Sequence, residues 1–153
     1  MKKKSPPATP SGSAYLIGRL HRLVRLRLAE SISPLGLTVQ QYTALAVLGA
    51  RGQLSNAQLA DRSMVTPQTA NEMVKAMEEK GWIERAADPS HGRIIHLSLT
   101  RAGEDVLARA HAAAAGFEAD LLSELAPGDR VRFIGYLKTC VHALSLTSIH
   151  GGS

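Results

Sequence analysis

At 153 residues the chain has the length of one ordinary domain, enough to bury a core. Its 18 Lys and Arg against 13 Asp and Glu leave a net charge of +5, an excess that points to an anionic partner such as nucleic acid and also serves solubility. No apolar run approaches the length needed to span a bilayer, and Met1-Lys2-Lys3-Lys4 leads into Pro-rich polar sequence instead of a secretory apolar segment. The expectation is therefore a cytoplasmic protein without a membrane partner.

Residues 1–13, MKKKSPPATPSGS, have nothing to bury and read as a disordered basic tail. From Ala14 to about Ser33 the pattern predicts a helix with Leu16, Leu20, Leu23 and Val24 on one side and Arg19, Arg22, Arg25 and Arg27 elsewhere; Pro34 and Gly36 end it. Thr38-Val39-Gln40-Gln41 places a hydroxyl three residues ahead of a glutamine, the reciprocal pattern of a capping box. It opens a helix through about Gly49 that buries Tyr42, Leu45, Ala46 and Leu48. Ser55-Asn56-Ala57-Gln58 repeats that signature and starts a short helix, with Leu59 and Ala60 inward and Asp61-Arg62-Ser63 at its end.

Thr66-Pro67 starts the next helix, a hydroxyl N-cap followed by a proline whose missing N–H would have had no intrahelical partner. The helix runs to about Lys80, where Gly81 stops it. Ala70, Met73, Val74 and Met77 fall at helical spacing and form its buried stripe. Gln68, Thr69, Asn71, Glu72 and Lys75 occupy the opposite face. That face is rich in hydrogen-bonding groups, as base-edge reading in a major groove requires. Alone, it would more often be only a solvated face.

The segment after Gly81 changes the balance. Trp82-Ile83-Glu84-Arg85 and Ile94-Ile95-His96-Leu97-Ser98-Leu99 alternate apolar and polar residues, and Asp88-Pro89-Ser90-His91-Gly92-Arg93 between them carries turn chemistry. The prediction is a β-hairpin with a basic tip, on which the Asp88 carboxylate holds the Arg93 guanidinium in one orientation. A lone exposed ion pair adds little stability, so its use would be positional. A pre-oriented Arg at a hairpin tip suits a narrow minor groove, and His91 is placed to approach phosphate. Thr100 then N-caps a long Ala-rich helix to about Leu125. Ala126-Pro127-Gly128-Asp129 restarts the chain into a last helix with Val131, Ile134, Leu137, Val141 and Leu144 on one stripe.

The order of elements is that of a winged helix-turn-helix, a mainly α fold with a small β-hairpin wing that binds duplex DNA. The expected organisation is a dimerisation helix over 14–36, a DNA-binding lobe over 37–100, C-terminal dimerisation helices over 101–147 and a flexible tail over 148–153. The terminal helices are too apolar to lie unpaired on so small a lobe, and interlocking with a second subunit is their simplest use. A two-fold dimer sets two recognition helices about one DNA turn apart, roughly 34 Å, and so calls for a pseudo-palindromic operator. The expected DNA contacts are Thr66, Pro67, Gln68, Thr69, Asn71, Glu72 and Lys75, with His91 and Arg93 from the wing.

The wing string Asp88, Arg93, Leu99 and Thr100 resembles the Asp-x4-Arg-x5-Leu-Thr pattern of the multiple-antibiotic-resistance regulator (MarR) family of bacterial transcription factors. Leu59-Ala60 and Met77-Glu78-Glu79-Lys80-Gly81-Trp82-Ile83 also resemble that family, and the likeness spans about Leu37 to Ala102. One departure stands at mid-helix, where many relatives carry a basic residue and this chain has Glu72. A carboxylate there repels phosphate and is suited to accept from a cytosine amino group or to orient a neighbouring cation. The resemblance implies a dimeric regulator, usually a repressor, relieved by a small, often aromatic or phenolic molecule held between the dimerisation helices and the DNA-binding lobe. Tyr15, His21, Arg22, Tyr42 and His111 are the polar or aromatic residues on helices that should border that crevice.

Other chemistries find little footing. Cys140 is the sole cysteine, so no intrachain disulfide forms, and its place on the apolar side of the last helix predicts a small buried hydrophobe. A redox-responsive regulator built on Cys140 would need an accessible thiol in positive surroundings, for which Lys138 and His142 offer weak support. The six histidines show neither an i,i+4 pair nor HExxH spacing, so no metal or other cofactor is expected. No nucleophile elbow, phosphate-cradling Gly loop or deaminase signature gives an enzyme a starting point. The competing reading is a winged-helix module that binds another protein with DNA incidental, for which Glu72 and the modest helix charge speak.

Overall fold

The computed structural model describes residues 11–147, so most of the basic tail and the residues after Thr147, His150 among them, lie outside the described chain. Six α-helices and one hairpin follow in order: α1 (Ser13–Ile32), a 3-10 turn at Ser33–Leu35, α2 (Val39–Arg51), α3 (Asn56–Arg62), α4 (Pro67–Glu79), β1 (Ile83–Ala87), β2 (Ile95–Leu99), α5 (Arg101–Leu121) and α6 (Pro127–Thr147). The chain divides into one compact unit up to Ala115 and a second from Gly116.

The helix boundaries follow from local chemistry. Thr38 and Gln41 cap α2 reciprocally, each side chain bonding the other's backbone N–H at 3.1 Å. Ser55 and Gln58 do the same for α3 at 2.9 and 3.2 Å. At α4 the Thr66 hydroxyl accepts from the Thr69 N–H, Pro67 takes the first helical position, and Gly81 adopts φ +72° beyond the last turn. The Gly81 N–H then donates to Glu78 and the Trp82 N–H to Met77, the paired bonds of a Schellman ending.

The turn between α3 and α4 closes in the same way without a glycine. Met64 occupies the left-handed position at φ +57°, its N–H donating to Asp61 and that of Val65 to Ala60. A side chain in that conformation costs about 1–2 kcal/mol, and Met64 is 85% exposed, so its removal forfeits little burial. Met64→Gly is therefore expected to raise stability by about 0.5–1 kcal/mol after the added chain entropy of glycine is subtracted. The urea midpoint at unchanged m-value is the measurement; a fall in midpoint would contradict the account.

The core of the first unit gathers Ile32 from α1, Leu45 and Leu48 from α2, Leu59 from α3, Val74 and Met77 from α4, Leu97 from β2 and Val106 and Ala110 from α5. Burying one such aliphatic side chain is worth about 1.5–3 kcal/mol. The buried stripe of α4 is the expected Ala70, Met73, Val74 and Met77. On α2 the buried residues are Gln41, Ala44, Leu45 and Leu48, with Tyr42 and Ala46 half-buried. The hairpin pairs antiparallel from Ile83↔Leu99 to Ala87↔Ile95, and Leu54 adds an isolated bridge to Leu97 through two backbone hydrogen bonds. That bridge pins the chain ahead of α3 to the wing.

Two expectations are corrected along α5 and α6. The long Ala-rich helix ends at Leu121 instead of Leu125, because residues 122–125 close into hydrogen-bonded turns. Cys140 is exposed, not buried. The reason lies in its helix: α6 buries none of its described side chains, and Val131, Ile134, Leu137, Val141 and Leu144 are 40–75% exposed.

Candidate nucleic-acid interface

α4 is held against the lobe by its buried stripe, which turns Gln68, Asn71, Glu72 and Lys75 outward, all exposed, together with Thr66 and Pro67 at its start. Thr69 behaves differently. It is half-buried, and its hydroxyl accepts from the Thr66 hydroxyl at 2.9 Å, so it serves the cap at least as much as the outer face. Gln68 and Glu72 stand one turn apart, and the Gln68 amide donates to the Glu72 carboxylate at 3.5 Å. Glu72 thus orients a neighbouring hydrogen-bonding group, and a neutral one.

Two charged contacts fix α4 to its surroundings. Arg85 on β1 donates to the Glu78 carboxylate at 2.7 Å, which ties the helix to the wing and raises the guanidinium pKa above its ordinary value. Lys80, just past the helix, donates to the Gly36 carbonyl at 2.8 Å while its ammonium lies 4.4 Å from the centre of the Trp82 ring. That lysine joins the corner between α1 and α2 to the base of the wing. Neither contact was foreseen, since each links residues whose proximity only the tertiary fold creates.

At the tip of the wing the expected Asp88–Arg93 pairing is absent. Asp88 instead accepts from the backbone N–H groups of Ser90 and His91 at 2.7 and 3.1 Å through Oδ1, and from His96 Nε2 at 2.8 Å through Oδ2. The histidine bond and the two backbone donors hold its carboxyl below the usual carboxylate range. The carboxylate already takes three closer donors, and among the described residues Arg93 has no ion-pair partner. Arg93 and His91 are both exposed, and the His91 Nδ1 donates to the Ser90 carbonyl at 2.6 Å.

The five residues expected to border a ligand crevice do not come together. Tyr42 and His111 meet, the tyrosine hydroxyl 3.0 Å from His111 Nδ1 and the rings edge to face. Tyr42 lines a cleft of about 490 Å³ walled by Ala46 and Val47, with Arg51 and Arg62 at its edge. His111 borders a neighbouring one of about 560 Å³ with Leu99, Leu107 and Glu104. His21 lines a third, of about 440 Å³, with Arg25, Leu28 and Met64. Tyr15 and Arg22 line none of the three. Arg51 and Arg62 were missed because nothing local marks an arginine as facing a cleft. Among the described residues no three His, Cys, Asp or Glu side chains gather as a metal ion would need, and no helix is long and apolar enough to cross a membrane.

Residues 35–94 match the family model described as MarR family. The chain is 35% identical over 117 residues to the HTH-type transcriptional repressor Rv2887 of Mycobacterium tuberculosis, covering 76% of this chain and 84% of the relative. The structure of Rv2887 in complex with salicylic acid aligns with a TM-score of 0.72 at 30% identity, covering 86% of this chain and 97% of that one. A mutant MarR of Escherichia coli complexed with operator DNA shares the fold, with a TM-score of 0.73 at 24% identity over 84% of this chain and 91% of that one. Sequence and fold agree, and the chain belongs to the MarR family of HTH-type transcriptional regulators.

Proposed function

We propose that the protein is a homodimeric repressor that reads a pseudo-palindromic operator with α4 and the wing and lets go when a small aromatic acid binds. The observation that carries this reading is the exposed set Gln68, Asn71 and Lys75 on α4, together with an exposed Arg93 that has no ion-pair partner among the described residues. Gln68 and Asn71 have the donor and acceptor pair that matches adenine in the major groove, and Lys75 and Arg93 supply phosphate attraction. Thr66, Pro67, His91 and a backbone held by Asp88 complete the contact surface.

Dimerisation is supported by apolar side chains left open on the terminal helices. In α1 Tyr15, Leu16, Ile17, Leu23 and Leu26 are 41–55% exposed and Ile32 alone is buried; α6 buries nothing among its described residues. Apolar faces left open on a lone chain would favour aggregation, whereas pairing with a second copy covers them. For the effector, the cleft at Tyr42 offers apolar walls with two guanidinium groups, the chemistry that an aromatic carboxylate requires. Rv2887 has been solved with such an acid, salicylic acid. Because Arg62 belongs to α3, a ligand bound there touches the DNA-reading lobe itself, and any preference for a mismatched spacing of the two lobes releases DNA by linkage.

The test is fluorescence anisotropy on the duplex upstream of the protein's own gene against a scrambled duplex, at two salt concentrations, with and without salicylate. Salt-sensitive binding that prefers the native duplex at two chains per site, weakened by salicylate, is the expected result. Equal weak binding to both duplexes would reject sequence-specific recognition and favour the protein-interaction module. Gln68→Ala should lower the preference for the native duplex by roughly tenfold while binding to the scrambled one stays within about twofold, because a base-edge contact carries discrimination and a phosphate contact does not.

A further inference from the structure

We propose that His96 is a positioning residue for DNA recognition, bonding Asp88 so that the wing-tip turn is locked and Arg93 is left unpaired for phosphate. The proposal rests on the DNA-binding reading above and adds to it a residue eight positions from Asp88 on the opposite strand.

The geometry is that of a single carboxylate serving both arms of the hairpin. Asp88 follows β1 directly, and its Oδ1 collects the N–H groups of Ser90 and His91, which bends the chain back on itself. Its backbone N–H donates to the Ile94 carbonyl, and the Ile94 N–H donates to the His91 carbonyl, so the turn is also bonded along its backbone. Those bonds are local to the tip. The bond from His96 Nε2 to Oδ2 reaches instead into β2, where His96 sits opposite Ala86. It therefore ties the orientation of the tip to the paired part of the wing.

Burial makes that tie directional. The His96 and Asp88 side chains are 23% and 24% exposed, so water competes for their bond less than at the open tip. The other ring nitrogen, Nδ1, is buried and has no hydrogen-bond partner among the described residues, so the bond to Asp88 is the ring's polar anchor there. Three donors engage the carboxylate without Arg93, whose guanidinium is exposed and has no ion-pair partner among the described residues. An arginine already paired to Asp88 would have to give up that bond to reach phosphate, whereas this one does not.

The experiment measures operator binding by anisotropy across a salt series for wild type, His96→Leu, His96→Gln, Arg93→Ala and the double variant that carries both His96→Leu and Arg93→Ala, with thermal unfolding of each. His96→Leu should weaken binding about tenfold and reduce the salt slope by about one per half-site, as expected for loss of one phosphate contact. His96→Gln, which keeps an N–H of similar reach, should recover affinity to within about threefold of wild type. In the Arg93→Ala background His96→Leu should add less than about twofold, because both changes remove the same contact. Unchanged binding by His96→Leu, full additivity with Arg93→Ala, or no recovery by glutamine would each overturn the proposal. Should His96→Leu fail to fold, the glutamine variant and the exchange rates of the Ser90 and His91 amides in wild type carry the test: fast exchange means the turn is not locked. Absence of specific binding by wild type would instead reject the DNA-binding reading, a separate and recognisable outcome.

Discussion

Gly103→Ala is expected to lower stability by about 3 kcal/mol, although in an ordinary helix interior the same change stabilises by up to about 1 kcal/mol. Gly103 lies in the first turn of α5 and is buried. A Cβ built on it would overlap the carbonyl oxygen of Trp82 and come within 2.9 Å of its carbonyl carbon. Those atoms are backbone and cannot rotate away. The same carbonyl accepts the Thr100 N–H at 3.0 Å, while the Thr100 hydroxyl bonds the Gly81 carbonyl and accepts from the Gly103 N–H. Relief of the clash therefore means opening the joint at which the end of α4, the wing and the start of α5 converge. For a chain of this size a loss of 3 kcal/mol corresponds to a fall in melting temperature of roughly 6–12 °C. Thermal unfolding of Gly103→Ala checks it, and an unchanged or higher midpoint would show that the joint yields more easily than its hydrogen bonds imply.

That glycine also shows where sequence reading stops. The starts of α2, α3 and α4 and the glycine stop at Gly81 were legible because capping depends on residues three or four apart, which the chain itself holds together. The exposed face of α4 was legible for the same reason, since helical spacing alone separates Gln68, Asn71 and Lys75 from the buried stripe. Gly103 carried no such signal, because its meaning depends on a carbonyl 21 positions earlier brought close by the hairpin. The turn at Met64 was hidden as well: a left-handed position is normally read from Gly or Asn, and methionine gives no sign of it.

The wing was half legible. Alternation and turn chemistry locate both strands to within a few residues, and Asp88 stands out as the residue that would hold Arg93 in one orientation. Sequence proximity and charge favour Arg93 as its partner. The register decides otherwise, since pairing Ala86 with His96 brings an imidazole to Asp88 that no spacing rule nominates. A similar gap separates the stripe on α6 from the exposure of Cys140. Helical spacing says which residues share a face, whereas burial needs a second surface, and α6 has none among the described residues of its own unit.

Arg93→Ala is expected to weaken binding to every duplex, native and scrambled alike, by roughly 10- to 100-fold at moderate salt, because the proposed dimer would lose two phosphate contacts at once. Its charge is available in a way that the neighbouring Arg85 charge is not, since Arg85 is already bonded to Glu78 and Arg93 has no carboxylate partner among the described residues. The two substitutions on the proposed reading surface then separate by what they change. Gln68→Ala alters the ratio between duplexes, whereas Arg93→Ala alters both affinities and the steepness of their salt dependence. With a slope of about 0.9 per phosphate, two lost contacts mean that raising salt fourfold costs the variant roughly tenfold less affinity than it costs wild type. Folding should be nearly untouched, because an exposed arginine without a partner contributes well under about 1 kcal/mol to stability. A variant with the wild-type slope would place Arg93 away from the phosphates and move the burden of binding to Lys75 and the N-terminus of α4. A variant that lost preference while keeping affinity would make Arg93 a reader of bases in the minor groove, where a guanidinium recognises width and A·T content.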